Sequence, residues 1–308
     1  MGVHLLLGNP HDAFCVSVRS ALEARGYKTR IIANPLSHPS TFVWRLDNET
    51  SSSRVAFAEE PPVMDDHLSG VFVRTTGWIN PAGWHPEDIG YVQAEAQAAL
   101  LAWLWSLACP VVNRYPASIW YRPQAPLLSW QPLLRRCGLS AIETLVTNVE
   151  HEGNEFRRRL SMEGWAGAVY GPFSSDVRYF VIDDNEWAGL TAMQRSTPVC
   201  LTYPCEAAQL VCLVGEHVVW DGKAPPDMIL LEPALRRFAT MAGLDFVELA
   251  LVSTTNGIRV LDVEPFPHVE RFRDDARRQI VEGVSRLLTA TVDYDHEAGA
   301  SAYPRSLS

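Results

Sequence analysis

Two closely spaced carboxylates end a predicted β-hairpin within residues 245–271. Apolar runs at 246–252 and 258–263 flank a short polar turn, which is typical of a hairpin. Because side chains alternate along a strand, Asp262 and Glu264 are predicted to share one face. Two carboxylates on one face favour a hard divalent cation between them, since such a cation prefers oxygen ligands. The alternative interpretation is a buried hairpin that ends in a solvated acidic turn.

The first third of the chain predicts a parallel sheet ahead of this hairpin. A strand at 3–8, a helix at 13–25 and a strand at 28–33 make a βαβ unit. Asp12 is predicted to cap the helix and Gly26 to end it. Four further elements are predicted in this part of the chain: a polar loop at 51–53, a strand at 70–75, a helix at 87–108 and a strand at 110–113.

Closely spaced prolines between 116 and 132 mark the predicted domain boundary. The sequence therefore predicts an N-terminal α/β domain at 1–115, a sheet-rich domain at 116–292 and a tail at 293–308. The second domain is predicted to hold helices at 130–137, 151–163, 231–242 and 270–288, and strands at 143–147, 166–172, 178–183, 199–202, 210–214 and 217–220 before the hairpin.

This order of elements, from about residue 71 to 290, resembles the ATP-grasp fold. In that family the closing strand carries an acidic residue and an asparagine two residues apart, usually followed by proline. Asp262, Glu264 and Pro265 occupy these places here. The resemblance implies an α/β protein (α+β in its C-terminal part), with a parallel-sheet N-terminal domain followed by a sheet-rich nucleotide-binding domain.

The similar sub-group joins carboxylates to amines. It implies an ATP- and magnesium-dependent ligase that forms an acyl phosphate, in small-molecule or peptide biosynthesis. The family's phosphate-binding lysine corresponds to Gly171, which the alternative interpretation makes a plain turn. The residues that the resemblance implies for the nucleotide are Tyr170, Arg178, Tyr203 and Glu206.

The resemblance also implies a metal set on the closing hairpin. Asp262 and Glu264 are its predicted members, although Glu264 stands where the family has asparagine. The family's first carboxylate would fall at Ala250. Glu248 lies two residues earlier on the same face. We predict that it takes over as the third ligand; the alternative is that it is unrelated to the site.

Several arginines are candidates for binding transferring phosphoryl groups or substrate carboxylates. Arg236 is a predicted catalytic residue on the helix before the hairpin. Arg259 is predicted to point away from the Asp262 face and is discounted. Arg271 and Arg273 follow the hairpin, where arginine binds carboxylates well. Arg271 is predicted to be catalytic and Arg273 to contact substrate; solvated helix faces are the alternative.

Substrate contacts are also predicted in the N-terminal domain. Asn9 follows the first strand and Arg74 ends the third, so both lie at the carboxyl edge of the predicted parallel sheet. Ligands of open α/β sheets bind at that edge.

The composition of the chain limits the classes of partner and the cellular compartment that we expect for this protein. A net charge of −10 without a large basic cluster argues against a nucleic-acid partner. No apolar run is long enough for a membrane helix. The six cysteines are scattered, which favours a reduced, cytoplasmic setting. The expected partner is a small-molecule or peptide substrate, and a homodimer or a complex with a partner subunit is compatible with the sequence.

A second hypothesis concerns the departures from the family pattern. Gly171 replaces a lysine, Ala250 a carboxylate, and Glu264 an asparagine. These changes favour a degenerate ATP-grasp-like protein without ATP chemistry, which acts as a partner subunit or binding module. The retained carboxylates and arginines favour the active ligase.

Overall fold

The computed structural model describes residues 2–36, 41–46, 51–56, 61–121, 127–162, 169–170, 180–181, 199–202, 208–254 and 256–290. The chain divides into two compact units. Unit 1 takes Met1–Val112 together with Ser285–Ser308, and unit 2 takes Asn113–Val284. The domain boundaries at 115/116 and 292/293 stay predictions.

Unit 1 is built on a parallel sheet, as the βαβ pattern predicted. Its strands are β1 Val3–Leu7, β2 Lys28–Ile32, β3 Thr41–Leu46, β4 Ser51–Ala56, β5 Val63–Met64, β6 Leu68–Val73 and β7 Val111–Val112, and its helices are α1 Ala13–Glu23 and α2 Pro86–Ser106. The sheet has the order β2-β1-β6-β7, and all its neighbours are parallel. The central strands β1 and β6 are mostly apolar and buried, with His4 as a buried polar exception, because both faces of a parallel sheet are covered.

Helix α1 begins where the sequence predicted. The Asp12 side chain caps it by accepting a hydrogen bond from the Phe14 backbone N–H at 2.8 Å. Its buried stripe includes Phe14, Cys15, Val18 and Leu22, at helical spacing. This helix returns the chain to the start of β2 and leaves the β1–α1 loop at the carboxyl edge of the sheet.

The predicted polar loop at 51–53 is wrong. These residues open β4, which pairs antiparallel with both β3 and β5. Ser53 is buried in this small sheet, and its hydroxyl accepts a hydrogen bond from Trp103 Nε1 at 2.8 Å. A buried serine is tolerated in a strand when a partner satisfies it, and that partner lies 50 residues away in sequence.

Unit 2 contains two antiparallel sheets. Its strands are β8 Thr144–Thr147, β9 Val169–Tyr170, β10 Phe180–Val181, β11 Val199–Thr202, β12 Gln209–Val214, β13 His217–Trp220, β14 Phe246–Thr254 and β15 Gly257–Glu264, and its helices are α3 Ala117–Trp120, α4 Leu127–Arg136, α5 Glu150–Met162, α6 Pro226–Ile229 and α7 Glu232–Ala242. The sheet orders are β10-β9-β11-β8 and β13-β12-β14-β15. The second sheet carries the predicted hairpin.

The last helix begins later than predicted. Helix α8 spans Asp274–Thr289, and a separate 3-10 helix at Val269–Arg271 precedes it. Arg271 therefore lies outside α8, in the 3-10 helix that precedes it. Within the described residues, no helix combines the length and the apolar character needed to span a membrane.

Candidate functional site

The carboxylates of the closing hairpin lie on one face of the sheet. Strands β14 and β15 pair antiparallel, with Glu248 opposite Glu264 and Ala250 opposite Asp262. Directly paired residues point to the same side of an antiparallel sheet. The prediction that Glu248, Asp262 and Glu264 share a face is thus confirmed, and the methyl group of Ala250 stands opposite Asp262.

A β-bulge changes the alternation along β15. Leu251 pairs with Val260, so Leu261 is an extra residue, and Val252 then pairs with Arg259. This register puts Arg259 on the same face as Asp262. The predicted opposite orientation of Arg259 is therefore wrong, because simple alternation cannot anticipate a bulge. Its guanidinium donates to the carbonyl of Ile258 at 3.1 Å.

Glu248 is buried and bonded at both carboxylate oxygens. Oε1 lies 3.0 Å from Nη1 of Arg271, and Oε2 accepts a hydrogen bond from the His268 backbone N–H at 2.7 Å. The Glu248 side chain is 2% exposed and the Arg271 side chain 42%. A buried carboxylate needs such partners because desolvating an unpaired charge is costly.

Glu264 organises the turn that follows β15. Its Oε1 accepts from the Phe266 backbone N–H at 2.9 Å, and its Oε2 lies 3.7 Å from Nε2 of His268. Nδ1 of His268 lies 3.0 Å from Oε1 of Glu270. Asp262 accepts from the Val263 backbone N–H at 2.9 Å. The imidazole of His268 therefore lies between two carboxylates.

Tyr115, near the start of unit 2, contacts the turn that follows β15. Its hydroxyl donates to the Pro265 carbonyl at 2.9 Å, and its ring stacks on Phe266 with 4.4 Å between centroids. Asn113 bonds both backbone polar groups of Phe246 at the start of β14. Tyr115 thus fixes the start of the turn at 265–271 by stacking and by a hydrogen bond, and Asn113 fixes the start of β14.

The three carboxylates of the closing hairpin do not form a magnesium site by themselves. Across the described part of the chain, no group of three or more His, Cys, Asp or Glu side chains could hold a metal ion. Glu248 does not fit as a ligand while Arg271 and the His268 N–H occupy its oxygens. Asp262 and Glu264 would need substrate phosphates to complete a magnesium shell. The metal set stays a prediction.

Comparison with known proteins identifies the architecture. No protein-family model matches this sequence, and no curated protein matches it. Among solved structures, macrocyclase MdnC from Microcystis aeruginosa MRC, bound with precursor peptide MdnA, is 15% identical with a TM-score of 0.72, over 94% of this chain and 100% of that chain. ATP-grasp ligase PsnB, complexed with a phosphomimetic variant of its minimal precursor, Mg and ADP, is 16% identical with a TM-score of 0.68, over 93% and 99%.

A third similar structure is the RiPP-associated ATP-grasp ligase of Chryseobacterium gregarium in complex with ADP and a leader and core peptide. It is 13% identical with a TM-score of 0.68, over 94% of this chain and 96% of that chain. The chain has the ATP-grasp fold. The resemblance that the hairpin and the element order suggested is confirmed at the level of architecture.

Within the ATP-grasp fold, the predicted arginines have different surroundings. Arg236 lies on α7, where it bonds Glu232 at 2.9 Å and the Glu216 carbonyl at 2.8 Å. The backbone N–H of Arg273 donates to Asp221 at 2.7 Å, and its guanidinium lies against Gly222, where a Cβ atom would come within 2.9 Å of Nη1. Among the contacts of the described residues, only that of Arg271, out of these three arginines, reaches a carboxylate of the closing hairpin face.

The predicted N-terminal contacts lie at the carboxyl edge of the parallel sheet. Asn9 accepts a hydrogen bond from the His11 backbone N–H at 2.9 Å. Arg74 pairs with Asp12, with 3.3 Å between Nη2 and Oδ2. Cys15 donates to the same Asp12 oxygen at 3.6 Å. Burial, reinforced by the negative charge of Asp12, raises the pKa of the Cys15 thiol to about 12, so this thiol is protonated at neutral pH.

The predicted nucleotide contacts fall mostly outside the described residues. Arg178, Tyr203 and Glu206 lie outside them, as does Gly171, and only the backbone of Tyr170 is described, in β9. Their roles stay predictions.

Sequence reasoning missed His268 and Tyr115 as members of the turn. His268 could have been suspected, because it follows Pro265-Phe266-Pro267 directly after the carboxylate strand. Tyr115 carries no local signal, since its partners lie 150 residues further along the chain.

Proposed function

We propose that this chain is an ATP-dependent ligase that joins a carboxylate to an amine on a peptide substrate. The observation that supports it is the likeness of 94% of the chain to macrocyclase MdnC, which was solved with a precursor peptide. The closing hairpin of this chain also keeps two acidic side chains, Asp262 and Glu264, on the face where the resemblance places phosphates. We expect magnesium to bind together with ATP.

The proposed reaction has two steps. The substrate carboxylate attacks the γ-phosphorus of ATP, and the bond from that phosphorus to the bridging oxygen breaks, which releases ADP. The amine then attacks the acyl carbon, an amide bond forms, and phosphate leaves as the amine loses a proton. In this proposal Arg271 binds an oxyanion, because a positioned cation lowers the free energy of developing negative charge.

Nucleotide binding provides the first test. Calorimetry with ATP, with and without magnesium, compares the wild type with Asp262→Ala and with Glu270→Ala as a matched acidic control. We expect magnesium-dependent binding that Asp262→Ala loses and Glu270→Ala keeps. No binding at millimolar ATP, with folded protein and with a precursor-type peptide present, would contradict the ligase proposal.

A second candidate function is a peptide-binding module or partner subunit without ATP chemistry. The observation that favours it is the local structure of the hairpin: Glu248 is paired with Arg271, and Ala250 faces Asp262. This candidate predicts peptide binding whose affinity is unchanged by ATP and magnesium. Fluorescence anisotropy with a labelled precursor-type peptide, with and without ATP, separates the two functions.

We place the protein in a reducing, cytoplasmic setting. Among the residues that the structure describes, Cys15 and Cys137 are thiols outside any disulfide. Free thiols persist where disulfide formation is not favoured. Mass spectrometry of the protein from its native source, after rapid alkylation under denaturing conditions, would test this by showing modified thiols at these two positions.

A further inference from the structure

The pair of Glu248 and Arg271 joins a buried anion to a partly exposed cation. Glu248 is the most deeply buried of the three hairpin carboxylates and contacts Arg271 and the backbone of His268. Both contacts come from the turn after β15. Glu248 therefore fixes the backbone of that turn and also the side chain of one of its residues.

Arg271 has hydrogen-bond donors beyond those that Glu248 uses. Arginine carries five N–H groups in a rigid, planar fork. Within the part of the chain that the structure describes, the polar partner of the Arg271 guanidinium is Glu248, through Nη1 alone. The side chain is also 42% exposed. Its remaining N–H groups are thus accessible to a ligand and suit an oxyanion, which two parallel N–H donors bind well.

The surroundings of Arg271 explain why an anchor is needed. Glu264 and Asp262 share the hairpin face with Glu248, and Glu270 precedes Arg271 in the 3-10 helix. An arginine that was free to rotate would be attracted to these carboxylates, and its donors would then be turned away from a ligand. A buried and desolvated partner attracts a cation more strongly than an exposed carboxylate does, because the local dielectric constant is lower.

We infer that Glu248 is a positioning residue that holds Arg271 as the binding group for an oxyanion of the substrate. The oxyanion is a peptide carboxylate or a nucleotide phosphate, since both present the same pair of acceptor oxygens. This inference rests on the proposed function and deepens it. It gives Glu248 a role different from that of the metal ligand predicted from the sequence.

The direction in which a substitution of similar shape but without charge changes the anion affinity tests the inference. Simple electrostatics predicts that Glu248→Gln, which removes a negative charge, strengthens anion binding. Positioning predicts the opposite, because Arg271 loses its ionic anchor. Calorimetry at low salt on the full chain would measure the affinity for tripolyphosphate and, separately, for a triglutamate peptide. Binding of the first probe identifies a phosphate as the ligand, and binding of the second identifies a carboxylate.

We expect Glu248→Gln to weaken binding of the favoured probe by roughly 10-fold or more, the effect of losing a charge-assisted hydrogen bond. Arg271→Lys should weaken it similarly, and Glu248→Gln should add little further loss when Arg271 is already Lys. Glu270→Gln is the matched control, since it removes the same charge one residue away from Arg271. It should leave the affinity unchanged or raise it.

Three outcomes would overturn the inference. In the first, Glu248→Gln binds the probe as tightly as Glu270→Gln does. In the second, the wild type binds neither probe. The third outcome applies if Glu248→Gln fails to fold in a thermal unfolding check. In that case Arg271→Lys replaces it as the test variant, and an unchanged affinity of Arg271→Lys for the probe overturns the inference.

The proposed function and this inference fail in different ways. A wild type that binds the oxyanion but forms no amide with ATP contradicts the function and leaves the inference standing. Amide formation whose substrate KM is unchanged in Glu248→Gln contradicts the inference alone. The ratio of KM to kcat is informative here, since a purely structural loss lowers the amount of active protein without raising KM.

Discussion

The pair of Arg74 with Asp12 in unit 1 and the pair of Arg271 with Glu248 in unit 2 are buried in opposite ways. In unit 1, Arg74 is the more buried partner, with its side chain 12% exposed against 24% for Asp12. In unit 2, the carboxylate of Glu248 is buried at 2%, and Arg271 is 42% exposed. The N–O distances, 3.3 and 3.0 Å, differ little. Burial is therefore the main difference between the pairs.

We call Arg74–Asp12 the structural pair, because its arginine is the more buried partner, and Arg271–Glu248 the presenting pair, because its arginine is accessible to a ligand. Asp12 also caps α1 and accepts from Cys15, and the guanidinium of Arg74 lies 5.4 Å from the centre of the Phe14 ring. These contacts join α1 to the end of β6. Arg271 instead has one carboxylate partner among the described residues and an accessible edge. The partner that is exposed to solvent determines whether a ligand contacts a positive or a negative charge, and in the pair of Arg271 with Glu248 that partner is the arginine.

The largest expected effect comes from removing the cation of the presenting pair. Arg271→Leu leaves the buried Glu248 carboxylate without its ionic partner. We expect the free energy of unfolding to fall by about 3 kcal/mol, the lower end for breaking a buried pair, because Arg271 is partly exposed. Urea unfolding of both proteins measures this. We expect Arg271→Leu to lose more unfolding free energy than Arg74→Leu, because Glu248 is more buried than Asp12. A smaller loss for Arg271→Leu would contradict this order.

A smaller loss is expected in unit 1. Arg74→Leu removes the partner of a carboxylate that is less buried and that keeps its hydrogen bond from Phe14. The expected loss in unfolding free energy is about 1 to 2 kcal/mol, between the values for exposed and for buried charged pairs. The same urea experiment tests it, with Arg236→Leu as a control for the loss of a surface arginine.

The thiol beside the Asp12 pair gives a pH-dependent prediction. The pKa of Cys15 is raised from 9.0 to about 12, mainly by burial and further by Asp12, while Arg74 opposes the rise. A raised folded-state pKa gives stability that is fully present below pH 9.0 and is lost as pH rises towards 12. The advantage of the wild type over Cys15→Ala should therefore shrink across this range. Urea unfolding at several pH values measures it, and a constant difference would contradict it.

The smallest expected effect concerns His4 in β1. Its ring is buried, its Nε2 lies 3.2 Å from the Leu288 carbonyl, and burial lowers its pKa below 6.5 despite that bond. A lowered folded-state pKa favours the neutral ring, so its contribution to stability is present above pH 6.5 and is lost as pH falls. His4→Gln, which keeps an N–H donor, should lose less stability on acidification. Thermal unfolding between neutral and mildly acidic pH tests this, and equal losses would argue against it.

Much of the fold could be predicted from local sequence. The βαβ unit, the Asp12 cap and the two strands of the closing hairpin follow from periodicity and capping chemistry within a few residues. The strand at 51–56 could not be predicted, because Ser51-Ser52-Ser53 lacks an apolar pattern. Its buried serine depends on Trp103, which the sequence does not mark as a partner.

The candidate site divides in the same way. Strand alternation predicted the shared face of Asp262 and Glu264 correctly. Strand alternation predicted the wrong face for Arg259, because the extra residue Leu261 reverses the alternation. No residue type near Leu261 indicates a bulge. The predicted ligand role of Glu248 ignored Arg271, which lies 23 residues away in sequence.

The sequence by itself determined the order of the elements, the carboxylate pair of the closing hairpin and the ATP-grasp resemblance, since these depend on short-range periodicity and on residue type. Only the tertiary structure decided which charges meet. The pairing of Glu248 with Arg271, the position of Arg259 and the stacking of Tyr115 on Phe266 all depend on strand register and on chain folding. These are long-range properties, set by how whole elements pack rather than by the residues next to them in sequence.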